Sequence, residues 1–384
     1  MAEIAFIGVL IAFLASLIVV TWSHPMVRKV AVKRNIVDNP DARKLQKSPV
    51  PVMGGVAVFF GLVTGLCVMS LFMDTSSLLP VFVAMSLMLC VGVMDDVSGL
   101  SPWLRFVIEI MVVVMLIFTT DISLNHLHAL WGFYNLPGWL SIPLTIVAVV
   151  GMINALNLID GVDGLCSGYG VFASLAFAFC FLRMGDVSYA ILAFAVAGAI
   201  FPFMLHNMFG ERYKMFLGDG GSLVLGFICS LYVMRVIQSG YEVVSESTIS
   251  LTLAVLAIPV FDTLRVMTAR IIAKRSPFSP DKTHLHHMFI RLGYSHVITA
   301  LNVIFLNGLV VLIWRLCNKL QLSGEVQLYV VIASGLLFTT GLYYTVEYLE
   351  KNKPQTYARL QQFAQRYTIH RVGVLLKIKN FLDK

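Results

Sequence analysis

The chain has 384 residues, of which 58% are hydrophobic and 13% charged, and its formal net charge is +7. Its mean hydropathy of +0.83 lies outside the range of soluble domains and leaves a multi-spanning membrane protein as the class to be explained.

A bilayer core about 30 Å thick needs about 20 apolar residues in helix, and runs of that length recur along the chain. In order, the spans fall at roughly 4–22, 52–72, 78–94, 103–120, 139–154, 166–183, 187–206, 219–236, 250–268, 298–316 and 326–348, eleven helices in all. Alternation of polar and apolar residues is absent, which argues against a β-barrel. The expected fold is therefore all-α and polytopic. The first run has no basic residue ahead of it and no small-residue cleavage site before Trp22, so it reads as a retained helix. Cys67, Cys90, Cys166, Cys180, Cys229 and Cys317 all lie in or beside apolar spans without CxxC spacing. They imply neither a disulfide framework nor a metal site.

When alternate loops are counted, all of the 28 basic residues except Arg183, Arg235, Arg315 and Lys319 fall on one side. Cytoplasmic loops retain Lys and Arg, which predicts an outside N-terminus and a cytoplasmic C-terminus. Residues 1–350 read as one transmembrane domain and 351–384 as a basic cytoplasmic tail. In the tail Leu360, Ala364, Tyr367, Val374, Ile378 and Leu382 recur at roughly helical spacing. An amphipathic helix on the anionic inner leaflet follows, with a disordered tail as the alternative. Membrane lipids are thus expected partners, and nucleic acid is not.

The acidic residues are placed unusually. Asp95 and Asp96 end the third span, Asp160 and Asp163 follow the fifth, Asp219 opens the eighth, and Asp262 lies near the inner end of the ninth. All six fall on the predicted cytoplasmic side. Carboxylates converging there point to a divalent-metal and phosphate site rather than to solubilising charge. Adjacent Asp95 and Asp96 cannot face the same way from a helix, so one is expected to touch substrate and the other to be held structurally, unless both are structural. In the run from Asn154 to Leu165, Asn154, Asn157, Asp160 and Asp163 recur every third position, which would smear them around a continuous helix. Gly161 and Gly164 predict a break, with the two amides on the last helical turn and the two acids on a folded-back loop. A glycine-rich turn with capping side chains is the alternative.

Asp219 lies in a loop entering a span and reads as a helix cap or, beside the other acids, as a metal ligand. Phe216 is either a platform for a nucleobase or an interfacial aromatic. The longest inner loop carries Arg270, then residues 276–281 ending in Asp281, then His284, His286 and His287. The HExxH spacing is missing, and no carboxylate or cysteine stands at a zinc-finger distance. Donors to phosphate oxygens fit these histidines better than a metal site or an inert loop.

Asp95 with Asp96, the run from Asn154 to Leu165, Phe-x-Gly-Asp-x-Gly-Ser at 216–222 and His-x-His-His at 284–287 resemble, in order and spacing, the polyprenyl-phosphate N-acetylhexosamine-1-phosphate transferase family, from about Asp38 to about Gly293. Within it, Ser276-Pro277-Phe278-Ser279-Pro280-Asp281 ahead of the histidines looks like the branch using undecaprenyl phosphate and UDP-N-acetylglucosamine. That branch starts O-antigen, enterobacterial common antigen or teichoic acid linkage units at the bacterial inner membrane. Relatives that transfer phospho-MurNAc-pentapeptide have a Lys after the Asp pair and three consecutive histidines. Here Val97, Ser98 and Gly99 follow the pair, and Leu285 interrupts the histidines.

The resemblance implies attack by the lipid phosphate on the sugar-bearing phosphorus of the UDP-sugar, releasing UMP, with Mg2+ or Mn2+ as cofactor. It assigns the metal to Asp219 with Asn157, and nucleotide contacts to Asp163, Asn207 and Phe216. Asp95 would orient or deprotonate the acceptor phosphate, supported by Asp96. His284, His286 and His287 with Arg270 would hold the pyrophosphate, and Asp38, Lys47 and Asp281 would lie near the mouth. Asn154 joins the substrate-binding set, Asp160 has a catalytic place without a specified role, and the family suggests a homodimer. A secondary transporter would place its acids near the midplane in repeated halves, and neither feature is present.

Overall fold

The computed structural model describes residues 2–40, 48–238, 247–277, 281–366 and 382–383. Without water in a bilayer core, backbone groups must pair within their own segment, and the apolar runs accordingly form helices. In chain order these are α1 (Ala2–Lys33), α2 (Gly54–Ser70), α3 (Leu79–Ser98), α4 (Pro102–Thr120), α5 (Gly138–Ile159), α6 (Leu165–Met184), α7 (Val187–Phe209) and α8 (Gly218–Gln238). They are followed by α9 (Thr248–Val255), α10 (Ala257–Ile272), the short α11 (Leu285–Arg291), α12 (His296–Lys319), α13 (Gly324–Leu336), α14 (Leu342–Asn352) and α15 (Pro354–Arg366).

Among the described residues, nine helical stretches are long and apolar enough to cross a membrane, or ten if the bent pair α9 and α10 forms one span. The 17-residue α2 is apolar but shorter. Each of the eleven predicted windows lies on one of these elements, and the chain is an all-α, multi-pass membrane protein. The window at 250–268 needs correction. It is not one straight helix but bends by 73° between α9 and α10. Pro259 lacks the N–H that would continue the ladder onto Val255. The freed groups are taken up by Asn307, whose Oδ1 accepts from Ile258 N at 2.9 Å and whose Nδ2 donates to Val255 O at 2.8 Å. A π-helical turn at Leu337–Gly341 joins α13 to α14.

Lipid chains are as apolar as leucine, so close backbone approach and dispersion, not exclusion from water, hold such helices together. Small residues supply that approach. The central, almost wholly enclosed α8 meets α3 where Gly92 faces Gly220 and meets α2 where Gly55 faces Gly221, and neither contact leaves room for a Cβ. This packing draws the ends of α2, α3, α5 and the start of α8 together at one end of the bundle. There a two-residue pairing of β1 (Val37–Asp38) with β2 (Val50–Pro51) continues into the loop before α8. Phe216 N donates to Pro51 O at 2.8 Å, and Gly55 N donates to Leu217 O at 2.8 Å.

In the tail, α15 buries Tyr357 and Ala364 on the bundle and leaves Leu360 and Phe363 exposed. Tyr367, Val374 and Ile378 lie outside the described residues. Asp383 Oδ1 accepts from the backbone of Glu211 at 3.0 Å and Arg212 at 2.9 Å.

Candidate active site

A cleft of about 740 Å³ opens at this end of the bundle, and its wall contains Asp38, Asp95, Asp96, Asp160, Asp163 and Asp219. Among the described residues Lys214 is the only lysine or arginine on that wall, which also carries His287 and His296. Six aspartates against one lysine make an anionic cleft of the size that holds a small-molecule ligand.

The two members of the Asp95–Asp96 pair do face differently. Asp96 Oδ1 accepts from Asp219 N at 3.0 Å and Oδ2 from Gly220 N at 3.2 Å. It thus caps the first turn of α8, whose orphan N–H groups and positive dipole end favour a carboxylate. Gly218 precedes that turn with φ +76, and a side chain there would run into Asp96 and Val52. Asp95 accepts from Leu100 N at 2.7 Å and from Arg105 Nη1 at 3.0 Å. Asp219 is therefore the capped residue and not the cap. Its side chain is 34% exposed against 13% for Asp95 and 12% for Asp163, which makes it more open to a ligand than either of these. Asn157 donates through Nδ2 to Asp219 Oδ1 at 2.6 Å and to Ser222 Oγ at 2.9 Å.

The chain leaves the helix where Gly161 and Gly164 predict. α5 ends at Ile159, Asp160 is its C-cap, and Gly164 at φ +76 opens α6. Burial, followed by the neighbouring charges of Asp219, Asp96 and Asp163, pushes the Asp160 carboxyl well above its ordinary range. Asp163 behaves oppositely. Burial would raise it, but His296 Nδ1 at 2.9 Å and Lys214 Nζ at 2.6 Å outweigh burial and hold it below its ordinary value. Asn207 fastens this loop to the one before α8. Its Oδ1 accepts from Gly164 N at 2.6 Å and its Nδ2 donates to Met215 O at 2.9 Å. Phe216 lies on the cleft wall, with Lys214 Nζ 5.9 Å from its ring centre.

Other predicted residues stand apart from the cleft wall. Asp262 is buried, accepting from Arg265 Nη2 at 2.6 Å, from Leu285 N at 3.1 Å, and meeting His284 Nδ1 at 2.9 Å. The expected convergence of all six acids therefore fails for Asp262, because Arg265 and His284 enclose it and it accepts from the first N–H of α11. Arg270 forks onto Asp281 at 2.9 and 3.0 Å and donates to Pro277 O at 2.6 Å. Burial opposes ionisation of Asp281, but Arg270 and Thr283 hold its carboxyl well below the usual range. This pair closes the loop upon itself.

Of the three motif histidines only His287 reaches the cleft. His284 and His286 are buried, and the His286 ring lies under Gly161, where an added Cβ would be 3.1 Å from Nε2. Burial, then the adjacent histidines, depress His286, while burial, His284 and Lys282 bring His287 down to about 4. Both are neutral imidazoles at pH 7, so neither offers a full positive charge. Asn154 sits behind the wall with Glu109 and Arg105. Lys47 lies outside the described residues.

Sequence reasoning missed four residues here. Arg105 and Lys214 counted only toward topology, and Glu109 and His296 did not stand out at all. No motif marks them. A lone Glu inside the span of α4, 0% exposed, was the available signal, because such a residue is costly unless it has a partner.

The fold and this cleft define the class first: a multi-pass membrane protein whose helix ends converge on an aspartate-rich ligand cleft. Comparison with known proteins agrees. Residues 78–237 match the family model "Glycosyl transferase family 4", which takes in the Asp pair, the 154–165 run and Asp219. A Bacillus subtilis (strain 168) protein named "Probable undecaprenyl-phosphate N-acetylglucosaminyl 1-phosphate transferase" is 32% identical over 312 residues, covering 79% of this chain and 83% of that protein. The undecaprenyl-phosphate alpha-N-acetylglucosaminyl 1-phosphate transferase of Yersinia pestis is 32% identical over 275 residues, 70% of this chain and 73% of that one. The protein of the same name in Escherichia coli (strain K12) is 31% identical over 271 residues, 70% and 72% of the two chains. The chain belongs to glycosyl transferase family 4.

Proposed function

We propose that the protein transfers N-acetylglucosamine 1-phosphate from UDP-GlcNAc to undecaprenyl phosphate, giving undecaprenyl-pyrophosphoryl-GlcNAc and UMP. The relatives' names support the substrates, and the cleft supports the reaction class. One observation carries the reading: among the described residues, six aspartates and a single lysine line a cleft that lies among the helix ends. Two phosphorylated substrates enter such a field only with a cation between carboxylates and phosphates.

The donor atoms suit Mg2+. Asp219, Asn157, Asp160 and Asp96 offer hard oxygen ligands, and among the described residues no cluster of three or more His, Cys, Asp or Glu side chains could hold an ion alone. Such a site fits a cation held by one or two carboxylates and completed by substrate phosphates. Asp219 with Asn157 would hold it, and bound there it neutralises charge building on the phosphate oxygens.

The chain's own residues do the rest by placement. An acceptor phosphate oxygen bonds to the sugar-bearing phosphorus while the bond from that phosphorus to the oxygen bridging to UMP breaks. The second pKa of a phosphate is about 6, so the acceptor is mostly dianionic at pH 7 and little proton removal is needed. Asp95, tied to Leu100 N and Arg105, acts by orienting and by its field. Lys214, fixed by Asp163, and His296 lie where a diphosphate would pass, with Phe216 as a face for the uracil. His287 donates as a neutral imidazole. Fixed positions and electrostatics of this kind suffice for phosphoryl transfer, and no covalent enzyme intermediate is required.

The basic bias of the loops supports a bacterial inner-membrane setting with the cleft on the cytoplasmic face and the N-terminus outside. Exposed Met94, Val97 and Trp103 adjoin the Asp pair and suit a lipid-borne acceptor. The test is direct: purified protein with Mg2+, undecaprenyl phosphate and UDP-GlcNAc releases UMP, and chelation stops it. Protein that is folded yet releases none overturns the reading. UDP-GalNAc and UDP-MurNAc-pentapeptide in parallel identify the donor.

A further inference from the structure

Glu109 is a buried carboxylate that the transfer just described does not use. It lies one turn beyond Arg105 on α4 and is 0% exposed. Its Oε2 accepts from Asn154 Nδ2 at 2.7 Å, and its Oε1 is 3.5 Å from Arg105 Nε. Asn154 Nδ2 also donates to Val150 O at 2.9 Å, so the amide is oriented from two sides. The Asn154 Oδ1 then accepts from Arg105 Nη2 at 3.5 Å. Nη2 is thereby hydrogen-bonded to the half-buried Asn154, and Nε faces the buried Glu109 carboxyl at ion-pair distance. The remaining nitrogen, Nη1, lies 3.0 Å from Asp95 Oδ2 and 3.8 Å from Asp219 Oδ2. A guanidinium is planar, with donors at fixed angles, so holding two edges fixes where the third points.

We propose that Glu109 is a positioning residue for the transfer reaction and acts through Arg105: with Asn154 it fixes the guanidinium plane so that Nη1 stands between Asp95 and Asp219 and sets their spacing. The proposal rests on the reaction proposed above. Without the Glu109 carboxyl in this geometry, Nε loses the group it faces and the guanidinium turns onto whichever cleft carboxylate is nearer. The acceptor-side and donor-side carboxylates then lose their common reference, while the groups that bind each substrate stay where they were. The consequence is a loss in the chemical step rather than in affinity.

The test is steady-state UMP release with both substrates varied, alongside thermal midpoints, for Glu109→Gln made in the wild type and in an Arg105→Lys background. Lysine carries a point charge with no plane to fix, so Glu109 has nothing to orient there. Glu109→Gln is expected to lower kcat about 10- to 100-fold with each KM within about twofold, since misplacement near 1 Å has costs of that order. In the Arg105→Lys background the same change is expected to alter kcat by less than about threefold, because coupled residues are not additive. A wild-type kcat in Glu109→Gln, or an undiminished loss in the Arg105→Lys background, overturns the proposal. Should Glu109→Gln fail to fold, Glu109→Asp keeps the charge but withdraws it by one methylene, and the same criteria apply to it. Absence of UMP release from the folded wild type overturns both this inference and its parent reaction.

Discussion

On the α3–α5–α8 side of the bundle end, Asp96, Asp160 and Asp219 share a cleft in which carboxylates outnumber cations. On the α10–α11 side, Asp262 and Asp281 are each closed by an arginine, with His284 and Thr283 completing their hydrogen bonds. The residue types are the same and so is the end of the bundle. A carboxylate that has a full set of partners holds structure, because removing any partner leaves an uncompensated buried charge. Carboxylates crowded together with few cations repel one another, and that field is relieved only by something that binds. The excess of acidic over basic side chains on the described cleft wall, rather than the mere presence of acids, locates the site.

Substitutions at the two clusters should therefore fail in different ways. The largest effect is expected from Asp262→Ala, which strands Arg265 and uncaps α11. Breaking such a buried pair costs about 3–5 kcal/mol, to be read as a large fall in thermal midpoint in detergent. An unchanged midpoint would erase the contrast between the two sides. Asp219→Asn should do the reverse: UMP release falls by about 10²–10³-fold, the scale of losing one preorganised electrostatic contact, while the midpoint stays near that of the wild type. Normal turnover would remove Asp219 from the site.

Gly161→Ala sharpens the comparison because it touches both sides. Its methyl would meet His286 Nε2 at 3.1 Å, and overpacking of this kind costs about 1–3 kcal/mol. Since Asp160 and Asp163 ride on that loop, the rate should fall more than the midpoint. Pairing it with His286→Ala, which empties the space, should restore part of the loss.

The smallest effect is the pH response of the histidine loop. Burial, His284 and Lys282 bring His287 from 6.5 to about 4, and His286 is lowered too. The unfolded chain then binds more protons than the folded one between these values, so stability falls as pH drops from about 6.5 toward 4. Thermal midpoints across that window should decline, and His287→Asn should flatten the slope. An unaltered slope in that variant would show that other groups govern it.

Much of the molecule was legible without coordinates. Hydropathy windows found the helices, because a span must satisfy its backbone locally and leaves a contiguous apolar run. Gly161 and Gly164 marked the break after α5, and the positive φ that Gly164 adopts there is also a local property of the backbone. The order of Asp95, Asp160, Asp163 and Asp219 along helix ends pointed to phosphate chemistry before any distance was known. The bend at Leu256 was less visible, since in the sequence Pro259 falls inside an apolar run just as Pro143 and Pro202 do, and those two lie within the continuous helices α5 and α7. At Leu256 a distant asparagine, Asn307, takes up the freed groups.

What the tertiary structure decided is which charges are already matched. Asp262 and Asp219 look alike in sequence, each an acid near the end of an apolar run. Lys214 and Arg105 look like ordinary basic loop residues, and His296 carries no motif. Their roles depend on partners as far away as the 133 residues between Asp163 and His296 or the 45 between Asn154 and Glu109. Helix formation is a short-range property that composition and periodicity encode. Charge compensation depends on distance in space, and only the packing of helix ends determines it.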